Sequence, residues 1–358
     1  MFIRRFFPLL ALAAGSLATV VHKGYDLSSL KTMEDSQGAH WYTASGANTK
    51  LENILADGGM NSVCLRLWVS PSGAYNLDYT LALASRLYRE GFDILLDFHF
   101  SDTWADPSAN NKPASWPTNI ASMSTTLRNY VSSTLESFDA KGVKLAMVAL
   151  GNEVTAGMLW PTGKIGSDNN FNDFATLWAA ARGGVNDAVK AGVTHPKVMM
   201  HLNNGWDRSL QTWWYRSLLA TGKVQANDID VMAVSFYPFF GTGATLANLQ
   251  SSLNALASTY GKPVMVAETD WPVSCPGVKL SENIAVGAAG QTAWVKDVVS
   301  VLSKVPNGLG QGVFYWEPAF INNTALGSSC RDNILFDVDW SKWPNTRATV
   351  RSSVSMFA

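Results

Sequence analysis

Short apolar runs that stop abruptly on a polar residue recur along this chain. In residues 144–153, KLAMVALGNE, seven apolar or small residues from Leu145 to Gly151 run unbroken into Asn152 and Glu153. A short run with no polar alternation fits a strand buried on both faces. Residues 263–268, PVMVAE, have the same shape and lead into Thr269, Asp270 and Trp271. Six further runs are predicted as strands: residues 22–27, 62–68, 93–99, 198–202, 231–237 and 312–316. Between them the apolar spacing changes to three and four. Leu77, Leu81, Ala84 and Tyr88 form one such stripe, and Phe171, Phe174, Trp178, Ala181, Val185 and Ala188 form another. Leu246, Leu249, Leu253, Leu256 and Tyr260 form a third, and Trp294, Val298, Val301 and Val305 a fourth. Helices are also predicted over 48–57, stopping at Gly58-Gly59, over 120–140 and 209–220, and near the C-terminus. Residues 28–46 read as a polar loop.

About eight buried strands alternating with about eight helices is the pattern of a (β/α)8 TIM barrel, here as a single domain. An open doubly wound sheet is the competing fold, but KGYDLSS after the first strand is not a glycine-rich phosphate loop. In a barrel, Asp26, Arg66, His99, Glu153, Asn204, Tyr237, Glu268 and Trp316 all fall at strand ends, on the C-terminal mouth where barrel enzymes carry their sites. The loop after the third strand, with Trp104 and Trp116, is long enough to wall a cleft.

Charge changes the picture mainly by exclusion. Charged residues make up 15% of the 358, the net charge is −1 and no Lys/Arg run occurs, so nucleic acid is not an expected partner. Arg4 and Arg5, the apolar stretch 6–14 and small residues at Gly15, Ser16 and Ala18 read as a secretory signal over 1–18. Cleavage near Ala18 or Thr19 leaves 19–358 as the mature catalytic domain, an exported, extracellular monomer with no membrane span. Of three cysteines, Cys64 sits inside an apolar run and is expected buried and free. Cys275 and Cys330 lie in loop-like sequence and are paired as a disulfide. Asn322-Asn323-Thr324 is a sequon, with Asn322 as the attachment site.

Two glutamates at strand ends, on a chain with 14 tryptophans, point to carbohydrate chemistry. Glycoside hydrolysis needs one carboxyl protonated to donate to the leaving oxygen and one ionised to attack the anomeric carbon. Indole faces suit sugar rings, which makes Trp104, Trp271 and Trp316 candidate platforms. Asn152 is placed to bond the sugar 2-hydroxyl, and His99 and Arg66 to bond Glu268 and hold its pKa low.

The segments KGYDLSS, DFHFSDTWADPS, LGNEVTAGMLWP, HLNNGW, SFYPF, AETDWPVSCP and YWEPAF carry a resemblance over nearly the whole mature chain. They resemble glycoside hydrolase family 53, the clan A endo-β-1,4-galactanases, of the fungal type. The resemblance implies Glu153 as acid/base and Glu268 as nucleophile of a retaining mechanism. It implies β-1,4-galactan, the side chain of type I arabinogalactan in pectin, as substrate. The Cys275–Cys330 pair looks like the disulfide of fungal-type members, where bacterial-type members hold calcium, so no metal or other cofactor is expected. Asn203-Asn204 stand where the family usually shows Asp-Asp, and Thr155 where an Arg often follows the catalytic glutamate. Two other readings remain at this stage. One is another clan A endo-glycanase, such as a mannanase or glucanase; the other is a non-catalytic glycan-binding barrel.

Overall fold

The computed structural model describes residues 19–241 and 243–358, so the signal expected over 1–18 lies outside the described residues. Eight parallel strands close into a barrel: β1 His22–Asp26, β2 Ser62–Leu67, β3 Asp93–Phe98, β4 Met147–Leu150, β5 Lys197–Leu202, β6 Val231–Ser235, β7 Val264–Thr269 and β8 Gly310–Tyr315. Each pairs with its neighbours in sequence, and β1 pairs with β8 to close the ring. All eight correspond to predicted runs, with no end shifted by more than three residues.

The outer layer follows the predicted stripes. After α1 (Leu30–Gln37) and α2 (Leu51–Asp57) come α3 Leu77–Arg89, α4 Ile120–Ala140, α5 Asn172–Lys190, α6 Arg208–Ala220, α7 Leu246–Tyr260 and α8 Ala288–Ser303. Side-chain oxygens of Asn76, Asn119, Asp207 and Thr245 accept the first free backbone N–H groups of α3, α4, α6 and α7. Three expectations need correction. The polar stretch 28–46 contains α1, because Leu30 and Met33, three apart, bury one narrow stripe between polar residues. The helix expected over 48–57 starts only at Leu51, since Asn48–Thr49 pairs with His40–Tyr42 in a small sheet. At the C-terminus the strands Phe336–Asp339 and Arg347–Val350 complete that sheet, and the last turns, Ser352–Phe357, are 3-10 rather than α.

The barrel interior is layered. Cys64, Leu95, Met147, Ala149, Met199, Ala233, Met265, Ala267 and Phe314 pack as one apolar cluster. Gly24 makes room for it, because a Cβ there would lie 2.2 Å from the Phe314 ring. Side chains two apart on a strand share a face, so the residues following this layer point inward one level higher. Those residues are Arg66, Asp97, His201 and Ser235, which form a polar floor under the mouth, all buried.

Candidate active site

A cleft of about 500 Å³ opens above that floor. Asp26, Asp97, His99, Trp104, Asn152, Glu153, Tyr237, Glu268 and Trp316 line it, together with Phe239, Phe240 and the loop residues Asn323, Leu326 and Gly327. A smaller pocket of about 160 Å³ shares Glu153, Tyr237 and Phe240 with it and adds Asn203, Asn204, Trp206 and Ser235.

Local backbone geometry turns the two glutamates into the cleft. Strand β4 ends at Leu150, and Glu153 sits three residues beyond it in the left-handed region, at φ 46°. That conformation costs on the order of 1–3 kcal/mol for a non-glycine residue and persists where the surroundings over-determine it. Phe100, Asn204 and Glu317 share it just past β3, β5 and β8. On β7 the device is a bulge: its register against β8 shifts between Val266 and Thr269. Ala267 belongs to the interior cluster, yet the next residue, Glu268, also faces the cleft. Thr269 is turned outward, where its hydroxyl donates to the Phe236 carbonyl and accepts from Trp294 Nε1.

Burial and company shift both carboxyls upward. Glu153 is pushed up to about 7 by burial, with Asp106 and Asp97 adding to it and a hydrogen bond from Ser235 opposing it. Glu268 is pushed well above the usual range by burial and then by Glu153, against the Tyr237 hydrogen bond. Tyr237 donates to Glu268 Oε2 at 2.7 Å. Asn152 Nδ2 donates to the Ala105 carbonyl at 2.7 Å, which leaves Oδ1 without a partner in a residue lining the cleft.

The expected partners of Glu268 are a correction. Arg66 is fully buried and gives its Nη2 to Glu317 and to Ser29 Oγ, with Asp26 Oδ2 3.7 Å from Nη1. Its guanidinium lies 4.3 Å from the ring centres of both Tyr75 and Trp104, so it holds a cleft-wall indole rather than the nucleophile candidate. His99 Nδ1 accepts from Trp68 Nε1 and from the Ala105 N–H, and Nε2 faces Asp97 Oδ2 at 3.5 Å. Trp271 is a second correction. Its ring is buried against Trp294, with Nε1 donating to the Ala285 carbonyl, so no sugar reaches it. Trp104 and Trp316 are half-buried and meet edge to face at 6.0 Å.

Sequence reading did not single out Asp97, His201, Ser235 and Glu317 as site residues. Alternation along the strands carries a signal for the first three, since each lies two residues beyond an interior apolar position. Glu317, buried at the end of YWE, had no signal of its own partner.

Away from the cleft, Cys275 and Cys330 are joined, Cys64 is buried and free, and Asn322 is exposed. No helix of the described residues is long and apolar enough to cross a membrane.

The sequence profile described as Glycosyl hydrolase family 53 matches residues 22–347. A protein of Aspergillus fumigatus named probable arabinogalactan endo-β-1,4-galactanase A is 44% identical over 98% of this chain and 97% of its own length. The arabinogalactan endo-β-1,4-galactanase of Thermothelomyces thermophilus is 42% identical over 88% of this chain and 95% of its own. A solved fungal β-1,4-galactanase superposes with a TM-score of 0.87 at 40% identity, over 95% of this chain and 99% of that one.

Proposed function

The chain belongs to glycosyl hydrolase family 53 and is a glycosidase, and on that premise we propose that it is a secreted, monomeric endo-β-1,4-galactanase. Its substrate in this reading is the β-1,4-galactan backbone of type I arabinogalactan side chains in pectin. The observation that carries it is the placing of Glu153 and Glu268 in one aromatic-walled cleft, in a chain so similar to proteins named galactanases. Export is supported by the signal pattern at the N-terminus and by the disulfide, which suits an oxidising compartment. The exposed Asn322 carries an N-glycan in the same reading.

The mechanism we propose is a double displacement with retention. A Glu268 carboxylate oxygen attacks the anomeric carbon as the glycosidic C–O bond breaks, and Glu153 gives its proton to the departing oxygen. Water then attacks the glycosyl-enzyme, Glu153 takes the water's proton, and Glu268 leaves as carboxylate. Burial and mutual repulsion let the pair hold a single proton near neutrality. The Tyr237 hydrogen bond favours charge on Glu268 and opposes the push of burial on it, and in this mechanism the shared proton is the one Glu153 delivers. Asn152 Oδ1 is free to accept from the sugar 2-hydroxyl, and Trp104 and Trp316 offer faces to the ring.

Azide trapping tests the roles. Glu268→Gly with an activated aryl β-galactoside is expected to give the α-azide by one displacement. Glu153→Ala is expected to give the β-azide by interception of the intermediate. The opposite anomers would reverse the assignment, and near-normal galactan turnover in either variant would remove that residue from the mechanism. Reducing ends released from mannan or glucan but not from purified galactan would overturn the substrate.

A further inference from the structure

Two residues of the polar floor, Asp97 and His201, have no part in the displacement, and they close on Glu268 from below. Asp97, His201 and Glu268 present an oxygen, a nitrogen and an oxygen that all lie within 4.8 Å of one another. They come from β3, β5 and β7, so the rigid barrel fixes their spacing. Asp97 is 95% buried, and its Oδ1 has no hydrogen-bond partner. His201 is 98% buried, and its Nε2 meets Ser235 Oγ at 2.9 Å, a contact that fixes the ring's orientation. The surroundings are strongly anionic: Asp26, Glu153, Asp270 and Glu317 stand near, and Arg66, the one buried guanidinium among the described residues, is committed to Glu317.

We propose that Asp97, His201 and Glu268 form an inhibitory binding site for a divalent transition-metal ion of the zinc type. One imidazole with two carboxylates is a donor set for zinc or copper(II), and too few oxygens for calcium. Donor atoms around tetrahedral zinc lie roughly 3.3 Å apart, given bonds of about 2.0–2.1 Å. Closing the observed spacing therefore needs movements of about 1.5 Å at most, within reach of side-chain rotation. Asp97 and Glu268 line the cleft, so an ion arrives from solvent through it. Bound there, it holds the Glu268 oxygen in a coordinate bond and removes the lone pair that attacks the sugar. The ion is a regulator or a poison, not a resident cofactor.

The block of activity rests on Glu268 being the nucleophile; the binding does not. The test is calorimetric titration of EDTA-treated mature protein with Zn²⁺, paired with Co²⁺ absorption as a probe of coordination and with galactan hydrolysis. The expected result is one ion per chain, visible-band cobalt absorption without a thiolate charge-transfer band, and EDTA-reversible loss of hydrolysis. His201→Gln and Glu268→Gln should each weaken Zn²⁺ binding by about tenfold or more. Either variant suffices should the other fail to fold. Cys64→Ala should leave binding unchanged, although the thiol lies close below. Undiminished binding in both ligand variants, or a thiolate band lost in Cys64→Ala, overturns the site. Stoichiometric binding that depends on both His201 and Glu268 but leaves hydrolysis intact keeps the site and overturns Glu268 as nucleophile. The absence of binding, beside azide products as expected above, overturns the site alone.

Discussion

Glu317→Ala isolates one buried charge, and its cost follows from the contacts of Arg66. Both side chains of the Arg66–Glu317 pair are 1% exposed. Removing the carboxylate leaves the guanidinium buried with Ser29 Oγ, Asp26 3.7 Å away and two ring faces. Breaking a buried pair from one side costs about 3–5 kcal/mol. The surviving Asp26 and ring contacts place this case near the lower end, at about 3 kcal/mol. For a described chain of about 340 residues the unfolding entropy is roughly 0.7 kcal/mol/K, so the melting temperature should fall by about 4 °C. Glu317→Gln keeps the shape and a neutral acceptor and should lose only about 1–2 kcal/mol. The diagnostic variant is Arg66→Met with Glu317→Leu, which removes both charges. It should be more stable than Glu317→Ala alone, because no guanidinium is left buried without its partner and Met and Leu refill the space, while burial keeps the Asp26 carboxyl neutral once Arg66 is gone. Urea titration followed by both tryptophan fluorescence and far-ultraviolet dichroism measures all three. A Glu317→Ala loss under about 1 kcal/mol, or a double variant weaker than the single, would refute the charge argument.

Other outcomes follow from the same geometry. Tyr237→Phe removes the 2.7 Å donor to Glu268, a charge-assisted bond worth about 1.5–3 kcal/mol, and should lower kcat/KM by roughly 10- to 150-fold while thermal unfolding changes little. Because burial holds the Glu153 proton up to about 7, kcat/KM should decline as pH rises through neutrality. Asp106 raises that pKa, so Asp106→Asn should move the alkaline limb of the profile to lower pH; an unmoved or upward-shifted limb contradicts it. Cys275→Ser opens a loop of 55-residue separation and should cost roughly 4 kcal/mol by the chain-entropy estimate, measured by denaturation, with kcat for galactan nearly unchanged.

Much of the scaffold was legible because apolar periodicity is a local property. Runs such as VMVAE have nowhere to go but a sheet buried on both faces, and the stripe from Phe171 to Ala188 only one face to bury. The abrupt stop of two runs on Glu153 and Glu268 marked the cleft for the same reason, since a carboxylate next to a core needs water or a partner. Where the local signal was thin, reading failed. Helix α1 buries only Leu30 and Met33, too narrow a stripe to stand out between polar residues.

Tertiary structure decided the partners. Trp271 follows the β7 bulge and goes into the helix layer, so its nearness in sequence to Glu268 says nothing about nearness to sugar. Arg66 finds Glu317 across 251 residues, and Tyr237 rather than Arg66 or His99 holds Glu268. Composition and spacing state which groups reach the mouth of the barrel. Which group each one touches depends on where closure of the ring sets β2 against β1 and β8. Electrostatic energy is fixed by those ångström-scale separations, and residue order along the chain does not contain them.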